Sequence, residues 1–78
     1  MNTGTLGDIF PGESCVIETL NIHGAARRRL MDMGFLPGTK VQCAFRAPSG
    51  SPMAFWVKEA LIALRRCDCR QVGVIPDA

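Results

Sequence analysis

The four cysteines, Cys15, Cys43, Cys67 and Cys69, are the side chains best suited to chemistry, either as metal ligands or as redox thiols. Structural zinc sites and iron–sulfur clusters usually draw their ligands in pairs about two residues apart on loops. The spacing here is different. Cys15 and Cys43 fall at inward positions of predicted strands, where a free cysteine packs as a small hydrophobe, and Cys67-Asp68-Cys69 is a C-x-C. Cys67 and Cys69 are therefore the metal candidates, with no second ligand pair to complete a site. Cys69 is expected to face inward. Cys67 is expected to be exposed between Arg66 and Arg70, whose charge favours a thiolate. His23 is the single histidine and has no acidic cluster beside it. The carboxylates are scattered singly from Asp8 to Asp77, and neither a Ser/His/Asp arrangement nor a phosphate-binding glycine pattern occurs. No enzymatic activity and no cofactor is expected.

The elements that must position these side chains are short. Pro11-Gly12-Glu13 supplies turn chemistry after a lead-in from Thr5, and Ser14 to Leu20 reads as the first strand. A helix is expected from about Ala25 to Met33, with Ala26, Leu30 and Met33 as its core stripe. Gly34 stands where helices commonly end in a left-handed residue, and Pro37-Gly38 suits the centre of a type II turn. In Thr39 to Ala47, Val41, Cys43 and Phe45 alternate with Gln42, Ala44 and Arg46, which predicts that the first set points inward. Ala47 to Pro52 is a Pro/Gly/Ser loop, and Met53 to Val57 resumes the strand pattern. If Lys58-Glu59 forms a two-residue turn, Phe55 faces Ile62 in the core, and Trp56 faces Leu61 on the outer surface. A single helical turn is expected within Arg65 to Gln71, followed by a closing strand from Val72 to Ile75.

Small domains rarely leave a tryptophan and a leucine adjacent in water, and tryptophan is enriched at binding hot spots. Trp56 and Leu61, flanked by Ala54 and Ala63 and rimmed by Lys58 and Arg46, therefore form the expected partner-binding patch. A covering lead-in around Ile9-Phe10 is the structural alternative. The basic residues Arg27, Arg28 and Arg29 offer a second surface for an anionic partner, or simply a solvated face.

Composition bounds the rest. A chain of 78 residues with 47% hydrophobic and 21% charged residues is expected to form one small folded domain, spanning residues 1–78. Its net charge of +2 is too small to imply a nucleic-acid partner. Apolar runs such as Ala60 to Leu64 are far shorter than the roughly 20 residues needed to cross a bilayer. Met1 to Phe10 does not read as a secretion signal, so a cytoplasmic setting is the expectation. Five short strands with one helix predict a mainly β fold, a small and strongly bent sheet or barrel.

Arg29-Leu30, Met33-Gly34-Phe35, Pro37-Gly38, Ala47-Pro48, Gly50, Pro52 and Ile62-Ala63-Leu64-Arg65, in this order and spacing, resemble the FeoA family over nearly the whole chain. The resemblance implies an SH3-like β-barrel and a role as accessory to FeoB, the membrane GTPase-permease that imports ferrous iron. Contact with the membrane would then come only through that partner. The same domain is similar to the carboxy-terminal module of iron-dependent repressors, but these 78 residues carry no DNA-binding or dimerisation part, so a repressor is not the expectation. Two positions depart from the family pattern. Ser51 stands where the central loop often has aspartate, and Glu59 where the hairpin turn often has glycine. The alternatives to a docking module are a metal or redox sensor built on the cysteines, and a free-standing repressor-type interaction domain. The oligomeric state is left open by the residues.

Overall fold

The computed structural model describes residues 4–77. The chain runs through β1 (Gly4–Thr5), a 3-10 turn (Leu6–Asp8), β2 (Ser14–Leu20), α1 (Gly24–Asp32), β3 (Lys40–Arg46), β4 (Met53–Val57), β5 (Ala60–Leu64), α2 (Arg66–Cys69) and β6 (Val72–Pro76). Among the described residues six strands form one antiparallel sheet in the order β1-β6-β2-β3-β4-β5. The expected count was about five. The additional strand is β1, which pairs with β6 through Gly4 with Val74 and Thr5 with Gly73. A capping box carries the chain out of it: Asp8 Oδ2 accepts from Thr5 N at 3.0 Å, and Thr5 Oγ1 accepts from Gly7 N at 3.2 Å. This turn buries Leu6 completely, so the segment read as a lead-in contributes to the core.

The core is formed by Ile17, Val41, Phe55, Val72 and the three inward cysteines, together with the fully buried Phe35. Phe35 and Phe55 meet edge to face, ring centroids 6.4 Å apart and planes at 89°. Phe35 arrives there because α1 ends as predicted. Met33 caps the helix, Gly34 turns left-handed at φ +100°, and Phe35 N donates to Leu30 O at 2.9 Å while Gly34 N donates to Met31 O at 3.0 Å. This is the paired hydrogen-bond pattern that satisfies the last helix carbonyls. Leu36 O then accepts from Thr39 N at 3.0 Å across Pro37-Gly38, with Gly38 at φ +93°, the expected type II turn leading into β3. On the helix, Leu30 is buried and Met33 packs against the core, but Ala26 is exposed rather than part of the stripe.

The β4–β5 hairpin has the predicted register: Phe55 faces Ile62, and Trp56 faces Leu61 across the Lys58-Glu59 turn. The positive φ that such a turn demands falls on Lys58, at +58°. In β3 the prediction fails at one residue. The β3–β4 register shifts between Cys43 and Phe45, so that Cys43 faces Phe55 and Phe45 faces Ala54, leaving Ala44 as a bulge. One extra residue inverts every side chain after it. Phe45, expected inward, is 46% exposed on the outer face. Arg46, expected outward, faces the fully buried Met53 and turns to the opposite side of the strand.

Candidate functional site

The cysteines separate into two environments. Cys15, Cys43 and Cys69 are buried, at 2%, 1% and 0% exposure, and Cys67 is exposed, as expected. Burial pushes the Cys15 thiol up to about 11 and the Cys69 thiol up to about 12, with neighbouring acidic groups adding to both. Burial raises Cys43 as well, against a lowering contribution from the Arg46 guanidinium. Cys67 and Cys69, the two metal candidates, thus differ in environment, one exposed to solvent and one in the core. Among the described residues there is no group of three or more His, Cys, Asp or Glu side chains placed to hold a metal ion.

Two outcomes follow from this burial. At pH 8 iodoacetamide is expected to modify Cys67 in the native protein and all four cysteines after unfolding, read by intact mass. Rapid native modification of Cys15, Cys43 or Cys69 would contradict the packing. Because the folded pKa values lie above the ordinary value of 9.0, the contribution of the buried thiols to stability is complete below pH 9 and is lost as pH rises through 11 to 12. The urea midpoint is therefore expected to fall over that alkaline interval.

The outer face of the sheet carries a continuous row of cross-strand neighbours: Ser14 with Gln42, Gln42 with Trp56, and Trp56 with Leu61. The row is polar at β2 and apolar at β5. Gln42 is held in place by donating from Nε2 to Gly12 O at 3.2 Å. Trp56 and Leu61 are 43% and 49% exposed, and the β3 bulge adds Phe45 to the same face through its pairing with Ala54. Side chains directly opposite in an antiparallel pair lie close enough to act as one surface. Ala54, expected to flank this patch in the open, is buried at 1% exposure. Ala63 is exposed there, as expected.

The charged residues expected around the patch are distributed differently. Lys58 lies at the hairpin turn and, with Lys40 and Trp56, borders a shallow groove over the row. Lys40 Nζ is 3.0 Å from Asp77 Oδ2, in a pair exposed enough to contribute little. Arg46 does not rim the patch, because the bulge has moved it. Its guanidinium stacks over the Phe10 ring at 5.0 Å from the centroid. Phe10 itself is 60% exposed, so the lead-in does not fold over Trp56. Arg28 lies on α1 beside Arg27, Met31 and Asp32, in a separate depression. The residue that sequence reasoning missed is Phe45.

A family model described as the FeoA domain matches residues 4–76. The chain is 32% identical over 72 residues to the Fe(2+) transport protein A/Fe(2+) transporter FeoB fusion protein of Porphyromonas gingivalis. That match covers 88% of this chain and spans only 8% of the relative's length. The solution structure of FeoA from Chlorobium tepidum superposes with a TM-score of 0.90 at 28% identity, over 95% of this chain and 70% of that one. FeoA of Stenotrophomonas maltophilia, solved in complex with zinc and described as a procaryotic SH3 domain protein, superposes with a TM-score of 0.78 at 31% identity, over 90% of this chain and 87% of that one. The antiparallel sheet with the short helix α1 is thus the expected SH3-like architecture, built among the described residues as an open ladder of strands rather than a closed barrel. Matched by the family model over residues 4–76, the chain belongs to the FeoA family.

Proposed function

We propose that this chain is a cytoplasmic accessory of bacterial ferrous iron uptake that docks on the cytosolic region of a FeoB-type GTPase-permease and regulates it. The observation that carries this reading is the uncovered apolar face of Phe45, Trp56 and Leu61 on a scaffold that offers no assembled metal centre among its described residues. The Porphyromonas gingivalis relative supports the choice of partner, because it joins the two proteins in one polypeptide. A transport-activating role has also been suggested for the Stenotrophomonas maltophilia protein. No helix among the described residues is long and apolar enough to cross a membrane, so docking brings this segment to the bilayer through its partner.

Regulation by docking requires that one state of the partner bind this surface better than another, since only differential affinity shifts an equilibrium. The test is titration of the chain into detergent-solubilised FeoB from the same organism, with and without a non-hydrolysable GTP analogue. Saturable binding whose affinity depends on the nucleotide is expected. Absence of binding in every nucleotide state would overturn the proposal.

A further inference from the structure

Strand β5 is the long free edge of the sheet. It pairs with β4 on one side, and among the described residues no backbone hydrogen bond is formed on the other. Because the hairpin turn has two residues, Val57 with Ala60 and Phe55 with Ile62 are the hydrogen-bonded pairs. Leu61 and Ala63 therefore direct their N–H and C=O groups away from β4, into open space. Natural sheets blunt such edges with charge, proline, a bulge or brevity. The opposite edge, β1, is blunted by being two residues long. Strand β5, Ala-Leu-Ile-Ala-Leu, has none of these protections.

A groove of about 410 Å³ runs beside the carboxy-terminal half of this edge, with Ala26 and Arg29 of α1 and its capping residue Met33 on one wall and Ala63, Leu64 and Arg65 on the other. The two alanines leave the space that larger side chains would fill. Met33 supplies an adaptable apolar wall. Arg29 and Arg65 are exposed, and Arg65 is steered by Asp68, whose Oδ2 lies 3.4 Å from Arg65 Nε. Beyond one added strand the far wall is a helix. A second copy of this chain would bring β4 along with its own β5 and meet α1, whereas a lone extended segment would not.

We propose that the β5 edge and this groove bind an extended acidic segment of a partner protein, which adds to the sheet as a further strand while its carboxylates pair with Arg29 and Arg65. Backbone pairing to Leu61 and Ala63 supplies the affinity, and the two guanidinium groups select acidic over basic sequences. This deepens the docking reading above, on which it rests only in treating the chain as a binding module.

The probe is a short acetylated and amidated peptide alternating glutamate with valine, titrated into the isotopically labelled full chain and followed by NMR. Expected are saturable shifts and slowed amide exchange at Leu61 and Ala63, and at least about tenfold weaker binding when lysine replaces glutamate in the peptide. Ala63→Pro removes one outward donor and should abolish binding, since proline is tolerated at a free edge. Arg29→Glu, at an exposed helix position, should weaken binding several-fold in a chain whose fold is untouched. Shifts confined to other surfaces, indifference to the lysine replacement, or a dimer with β5 amides already protected would each overturn the proposal. Full FeoB affinity in Ala63→Pro alongside lost peptide binding would remove this groove from transporter docking and leave the docking reading intact. Peptide binding without any FeoB binding would do the reverse.

Discussion

Replacing Trp56 with alanine is expected to weaken binding to the proposed FeoB partner by about thirtyfold or more, with little loss of stability. The magnitude follows from the usual cost of truncating a central aromatic hot spot, about 2 kcal/mol or more, at roughly 1.4 kcal/mol per factor of ten. The separation of binding from folding follows from position. Trp56 is 43% exposed, and its cross-strand neighbours Gln42 and Leu61 lie on the outer face, so truncation opens no cavity in the core. Leu61→Glu is the companion variant, because it sets an unpaired carboxylate within the apolar row without touching a buried residue. Both variants should retain the wild-type unfolding free energy to within about 1 kcal/mol, as surface substitutions normally do. If Trp56→Ala binds the transporter undiminished, the outer row is not the contact surface.

Gly34→Val is expected to cost about 3 kcal/mol of stability. Two independent costs add there. The backbone sits at φ +100°, a conformation that a β-branched residue adopts only under strain. A Cβ at this position would also lie 3.0 Å from Val57 Cγ1, so the added side chain would push α1 away from β4. The displaced contact is the one that seats Phe35 against Phe55. For a chain of this size the melting temperature should fall by more than about 10 °C. Gly12→Ala separates the two costs, because Gly12 also has positive φ, at +91°, yet nothing lies within 4 Å of its would-be Cβ. Its expected loss is about 1 kcal/mol. Equal losses at the two positions would contradict the close approach of helix and strand.

How far the fold could be read in advance depended on how local each determinant was. The helix end at Gly34 and the turn at Pro37-Gly38 were legible, because residue type alone decides which conformations are open to glycine and proline. The hairpin register was legible because a two-residue turn leaves one way to pair Phe55 with Ile62. The bulge at Ala44 was not. Val41, Cys43 and Phe45 continue an unbroken alternation, and a bulged residue near the right-handed helical region needs no special side chain. That single unpaired residue placed Phe45 on the candidate docking face and took Arg46 away from it, so the site was legible in Trp56 and Leu61 but incomplete. Strand β1 was missed although the Thr5-x-x-Asp8 spacing is a capping-box signature, because a strand of two residues carries no periodicity. The groove beside β5 depends on Ala26 being exposed opposite Ala63, a tertiary relation between segments far apart in the chain.

The proposed docking of the outer face of β3, β4 and β5 on FeoB is tested most directly by hydrogen–deuterium exchange on the chain with and without saturating FeoB. Slowed exchange is expected, concentrated in Lys40–Arg46, Met53–Val57 and Ala60–Leu64, and lost in Trp56→Ala. Protection centred on Arg27 to Arg29, or none in the presence of saturating partner, would contradict it.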